Sequence, residues 1–126
     1  MKFVIDASAI LAVLWNEPGQ QRALARLSNA AISAVNFAEA RSKMVDRGVD
    51  AGDLRKLVSE LAIEVVPFDL AQAEATAGLR PLTKSRGLSL GDRACLALAM
   101  STGATAITAD RSWAELGLAV KIEIIR

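Results

Sequence analysis

Apolar residues in this chain fall in short unbroken runs rather than in strict alternation. Runs at about 2–6, 30–33, 63–67, 105–109 and 120–125 are rich in Val, Ile and Ala. Continuous runs of that length suit strands buried on both faces, as in a parallel sheet. Between them the apolar positions recur at helical spacing, predicting helices at roughly 8–16, 18–28, 34–47, 51–62, 69–79, 90–102 and 111–117. Gly48 and Gly103 stand where helix C-caps belong, and Pro18 suits a first helical position. Arg80 to Gly87 carries several charges and few apolar residues, so it reads as a short helix or loop. Strands alternating with helical crossovers imply an α/β fold, with a central parallel sheet of about five strands and helices on both faces. No repeat or low-complexity tract divides the 126 residues, so 1–126 reads as one domain.

Four acids sit where such strands hand over to helices. Asp6 closes Phe3-Val4-Ile5, and Asp110 closes Ala106-Ile107-Thr108-Ala109. Glu39 lies within two turns of a helix that Ser33 would cap, and its side chain should lean back toward the strand end. Asp92 falls in the first turn of a helix opened by Ser89. These positions gather in the crevice outside the carboxyl ends of a parallel sheet. Each acid also has a local explanation. Asp6 and Asp110 suit helix N-caps, Ser89 and Asp92 have capping-box spacing, and Glu39 could pair with Lys43 at i+4. What favours a shared site is the joint placement of all four on one sheet edge. Two like charges 4 Å apart repel by roughly 4 kcal/mol at an effective dielectric near 20, so a divalent cation would be the natural counterpart.

The chemistry narrows further because the chain has no histidine. Histidine-dependent triads and ribonucleases are excluded. Oxygen ligands alone select a hard cation, Mg²⁺ or Mn²⁺. The expected reaction is metal-assisted attack of water on a phosphodiester, leaving a 5′-phosphate. Ser8 and Thr108 could hydrogen-bond an acid of the site, or serve as a helix cap and a strand former. Asn36, on the Glu39 face, could bind a ligand or fill its helix turn.

Charge adds little by itself. The chain has 15 basic and 14 acidic residues, net +1; setting the four acids aside leaves ten against 15. That surplus fits modest attraction to phosphate rather than a strong DNA coat. Two Trp, three Phe and no Tyr argue against a stacking platform. Arg41, Arg86 and Arg93 are candidate RNA contacts, with Lys43, Arg80 and Lys84 as further cations near the expected site. One cysteine, Cys95, allows no internal disulfide. The longest apolar run, Ala9 to Trp15, is too short to cross a bilayer. Lys2 and this run faintly mimic a signal peptide, but Asp6 interrupts it, so the expected location is cytoplasmic. The run is apolar all round a helix, so Leu11 and Trp15 are candidates for partner contact as well as for the core.

Val4-Ile5-Asp6-Ala7-Ser8, Ile32-Ser33-Ala34-Val35-Asn36-Phe37-Ala38-Glu39, Leu88-Ser89-Leu90-Gly91-Asp92-Arg93-Ala94 and Ile107-Thr108-Ala109-Asp110-Arg111-Ser112-Trp113 together resemble a PIN domain. More narrowly, they resemble the VapC toxins of bacterial toxin–antitoxin pairs, over essentially the whole chain. The resemblance implies a three-layer α/β/α PIN-like fold and a Mg²⁺- or Mn²⁺-dependent endoribonuclease. It also implies a homodimer and a cognate antitoxin. Carried over, Asp6, Glu39, Asp92 and Asp110 form the catalytic, metal-binding tetrad, with Asp6 and Asp92 the most direct ligands. Two other readings compete: a PIN-like module that binds RNA or protein without cleaving, and an aspartate-dependent phosphatase or receiver-type domain. The phosphatase would need a second acid where Ser8 stands. The receiver would need paired early acids and a late lysine.

Overall fold

The Val- and Ile-rich runs become five short strands: β1 (Phe3–Ile5), β2 (Ala30–Ser33), β3 (Glu64–Val66), β4 (Thr105–Thr108) and β5 (Ile122–Ile124). The computed structural model describes residues 1–126 and places all five in one parallel sheet, in the order β3-β2-β1-β4-β5. The connecting segments supply seven helices. These are α1 (Ala7–Leu14), α2 (Gln20–Leu24), α3 (Ala34–Asp46), α4 (Gly52–Glu60), α5 (Leu70–Gly78), α6 (Arg80–Thr83) and α7 (Leu90–Thr102).

Side chains alternate across a strand, and here the alternation feeds two cores. Ile5, Ile32 and Ile107 join residues of α1 to α4 in one cluster, whereas Val4 and Ala106 join α7, Leu79 and Trp113 in the other. Helices therefore cover both faces, giving the three-layer α/β/α arrangement expected. Ile5, Ile32 and Ile107 are fully buried, each removing roughly 1.5–3 kcal/mol of apolar exposure.

The order of strands decides where a site can form. β1 lies between β2 and β4, so the chain leaves it first toward one edge of the sheet and later builds the other. The crevice at such a reversal opens at the carboxyl ends of β1 and β4. Register sets their ends level, with Ile5 beside Ile107 and the Asp6 N–H bonded to Ile107 O at 3.0 Å.

Several expected elements are shorter than their patterns suggested. The predicted helix 18–28 is α2 plus a separate 3₁₀ turn, Leu27–Asn29. Pro18 is not a first helical residue. Gly19 intervenes with φ +92°, and a Cβ there would sit 2.5 Å from the backbone oxygen of Ile125. The predicted helix 111–117 is one 3₁₀ turn, Arg111–Trp113, because Glu115 and Gly117 both take positive φ. Leu116 and Leu118 then pack against the second core instead of continuing a helix. β3 is an edge strand with Glu64 and Val65 exposed, not a doubly buried one. The segment 80–87 is α6 followed by a 3₁₀ turn, Lys84–Arg86, and Gly48 and Gly103 take the left-handed conformation expected after helix ends.

Candidate active site

Asp6 is the buried centre of the crevice. Its backbone ends β1 and its carboxylate caps α1, with Oδ1 accepting from Ala9 N at 2.9 Å and from Ser8 Oγ at 2.7 Å. Oδ2 accepts from Thr108 Oγ1 of β4 at 2.5 Å. Each hydroxyl has a second tie. Ser8 Oγ accepts from Ala109 N at 2.9 Å, and Thr108 Oγ1 from Asp110 N at 3.0 Å. A hydroxyl carries one proton, and both protons go to Asp6. The 3.3 Å approach of Ser8 Oγ to Thr108 Oγ1 is therefore a contact between two acceptors while Asp6 is ionised. Asp6, not Ser8, is the cap of α1, and Ser8 serves Asp6.

Burial pushes the Asp6 carboxyl up to about 6; the three hydrogen bonds pull it down, and the charge of Asp92 adds to the rise. This is the mark of a carboxylate placed against the preference of its surroundings, which functional sites tolerate more often than structural ones.

The other acids reach the crevice from three directions. Glu39, on α3, lies against Gly91 of α7, where a Cβ would be 2.7 Å from its Oε1. Asp92 follows directly in the first turn of α7. Below them the Cys95 thiol is pushed well up, chiefly by burial and then by the charges of Asp6, Asp92 and Glu39. These three acids thus act on one buried point. Asp110 is exposed and linked to Asp6 only through the Thr108 hydroxyl.

The local roles are realised as well. Asp92 and Ser89 form a complete capping box, at 3.0 and 3.1 Å. Asp110 Oδ1 accepts from Ser112 N at 2.9 Å, and Glu39 Oε2 stands 3.7 Å from Lys43 Nζ. Drawn to these partners, no three acids stand close enough to make a ready-formed ligand set. The convergence is looser than four carboxylates facing one point. The donors nevertheless suit a hard divalent cation: all are oxygens, one is buried with its charge unmatched, and Asn36 Oδ1 nearby is buried without a partner.

Asn36 is fully buried and its Nδ2 donates to Gly91 O at 3.0 Å, tying α3 to α7. Among the cations, Arg41 is exposed. Arg86 is committed to the loop after β4, donating to Ser112 O at 3.1 Å and Ala114 O at 2.8 Å. Arg93 is half-buried, and its Nη1 reaches Thr76 O of α5 at 3.3 Å. Leu11 belongs to the core, and Trp15 is half-buried under the Arg47 guanidinium, 3.8 Å from its ring. Gly91 and Cys95 were not singled out from sequence; a glycine inside a helix was the available signal for the first. The largest cavity, about 590 Å³, lies beside Lys2, Thr105 and Lys121 at the other end of the sheet and contains none of the acids.

Comparison with known proteins agrees with this architecture. No curated protein matches the sequence significantly. Among solved structures, the chain resembles VapC20 of Mycobacterium tuberculosis, a Sarcin-Ricin loop cleaving toxin, at 14% identity and TM-score 0.77, covering 99% of this chain and 100% of that one. It resembles DNA-bound VapBC from Salmonella typhimurium at 20% identity and TM-score 0.75, covering 100% and 99%. FitAcB from Neisseria gonorrhoeae matches at 23% identity and TM-score 0.65, covering 95% of each chain. At these identities the likeness is one of fold. The sequence itself matches the PIN domain family model over residues 3–118, and the chain belongs to the PIN domain family.

Proposed function

We propose that this chain is the toxin of a toxin–antitoxin pair, a Mg²⁺- or Mn²⁺-dependent endoribonuclease formed by a single domain of residues 1–126. The observation that carries the reading is the buried Asp6 carboxylate, held by two hydroxyls and a backbone N–H, with the charges of Asp92 and Glu39 nearby and no cationic side chain bonded to it. Asp6, Asp92, Glu39 and Asp110 would hold the cation, which when bound activates water and offsets charge on the phosphate. Ser8 and Thr108 fix the Asp6 carboxylate so that neither oxygen can rotate away. Arg41, Arg80 and Lys84, all exposed, are available to an RNA backbone, and Arg86 and Arg93 contribute beyond their present bonds. An antitoxin belongs to this reading, supported by the resemblance to VapBC complexes; a homodimer and a cytoplasmic setting are part of the same proposal.

A second reading is favoured by one observation: Asp92 and Asp110 are already engaged as caps. A PIN-like module that binds RNA without cutting would leave them so. One assay separates the two. Purified protein incubated with RNA in Mn²⁺ should generate discrete ends bearing 5′-phosphate, none in EDTA and none with Asp6→Asn. Ends carrying 2′,3′-cyclic phosphate, or equal cutting by Asp6→Asn, would overturn the nuclease. Binding without cutting would establish the module.

A further inference from the structure

Gly91 stands where the backbone has no need of a glycine. It lies inside α7 and its φ is not positive, so any L residue could adopt its conformation. Glycine is also the poorest helix former after proline. Intrinsic preference therefore argues for another residue, and the reason for glycine must be space.

The surroundings supply that reason. Gly91 is buried, and a Cβ there would lie 2.7 Å from Glu39 Oε1, 3.3 Å from Glu39 Cδ and 3.4 Å from Asn36 Nδ2. Real Cβ atoms essentially never approach a heavy atom as closely as the first distance. The same residue is gripped through its carbonyl, which accepts from Asn36 Nδ2 at 3.0 Å. Asn36 and Glu39 are three apart on α3 and so share a face. One anchors the helix to α7 while the other lays its carboxylate over the bare α-carbon beside Asp92. The atom that a methyl would strike is the tip of a flexible side chain, not backbone. An alanine would therefore displace the carboxylate and leave the helices where they are.

We propose that Gly91 is a positioning residue whose missing side chain seats the Glu39 carboxylate beside Asp92, in the pose from which both acids share one divalent cation. This rests on the nuclease reading above. The test measures Mn²⁺ binding by calorimetry, and thermal unfolding in EDTA, for the whole chain as wild type, Gly91→Ala, Glu39→Asp and the double variant. Gly91→Ala should unfold at the same or a higher temperature, yet bind Mn²⁺ at least tenfold more weakly. The shorter acid clears the methyl, so the double variant should bind more tightly than Gly91→Ala alone. Wild-type affinity in Gly91→Ala, lower thermal stability in that variant, or no recovery in the double variant would each overturn the role of Gly91 alone. A wild-type chain that takes up no Mn²⁺ would overturn the nuclease reading, and the shared-cation pose with it.

Discussion

Replacing Asp6 by asparagine should stabilise the metal-free protein, and the gain should vanish in acid. In the unfolded chain this carboxyl ionises near 3.8; in the folded one, burial holds it near 6. Well below pH 4 both states are protonated and the shift costs nothing. Between about pH 4 and 6 the unfolded chain releases its proton first, so folding stability falls as pH rises. Above that window the folded state carries the full cost, a little over two pK units or about 3 kcal/mol. Asparagine bears no charge, and the network can accept it. Its oxygen keeps the bonds from Ala9 N and Ser8 Oγ, and its amide donates to Thr108 Oγ1. The Thr108 proton then turns to Ser8 Oγ, 3.3 Å away. With EDTA at pH 8, Asp6→Asn should be more stable by about 2–3 kcal/mol, raising Tm by on the order of 5–10 °C. At pH 3 the two proteins should melt together. The reasoning is refuted if the variant melts lower than wild type at pH 8, or if the difference is the same at both pH values.

Three further outcomes follow from single contacts. Thr108→Val removes the donor to Asp6 Oδ2 and the acceptor of Asp110 N; urea unfolding at pH 8 should show a loss of about 1–3 kcal/mol, chiefly because the buried Asp6 Oδ2 loses its partner. Arg86→Ala frees the carbonyls of Ser112 and Ala114. Limited proteolysis should then cut the segment between Trp113 and Gly117 faster, and Arg86→Lys should not restore protection because a point charge lacks the guanidinium fork. Gly19→Ala forces a positive φ and a 2.5 Å contact with the Ile125 backbone oxygen. It should lower stability by about 2–4 kcal/mol in the same urea titration.

The central strands were legible because β1, β2 and β4 are buried on both faces, and an unbroken apolar run is the signature of that burial. β3 and β5 end the sheet, and each carries a glutamate, Glu64 and Glu123, that the three central strands lack; their Val and Ile content alone does not say which strand lacks a neighbour. Where sequence reading failed, a tertiary contact had overruled a local pattern. Trp113 and Leu116 have helical spacing, yet both face one core through a turn that Glu115 and Gly117 bend with positive φ. Pro18 fits a helix start, but the close approach of Ile125 to Gly19 decides where α2 begins. The acids themselves were readable from their place after strands and in first helical turns. Their partners were only partly so. The capping box follows from spacing, whereas the Arg86 loop contacts and the seat of Glu39 on Gly91 depend on distances between elements that are remote in the chain.

The bond from Thr108 to Asp6 joins the second-to-last strand to the first, and this has a consequence for synthesis. At about 5–20 residues per second, the ribosome needs on the order of 5–20 s to travel from Asp6 to Thr108. Until then the aspartate has neither the threonine hydroxyl nor the neighbouring strand that keeps Ser8 in place. A chain interrupted before β4 carries three of the four acids but not the scaffold that aims the first of them. The full set of bonds around Asp6 is therefore withheld from every product that stops short of Ala109.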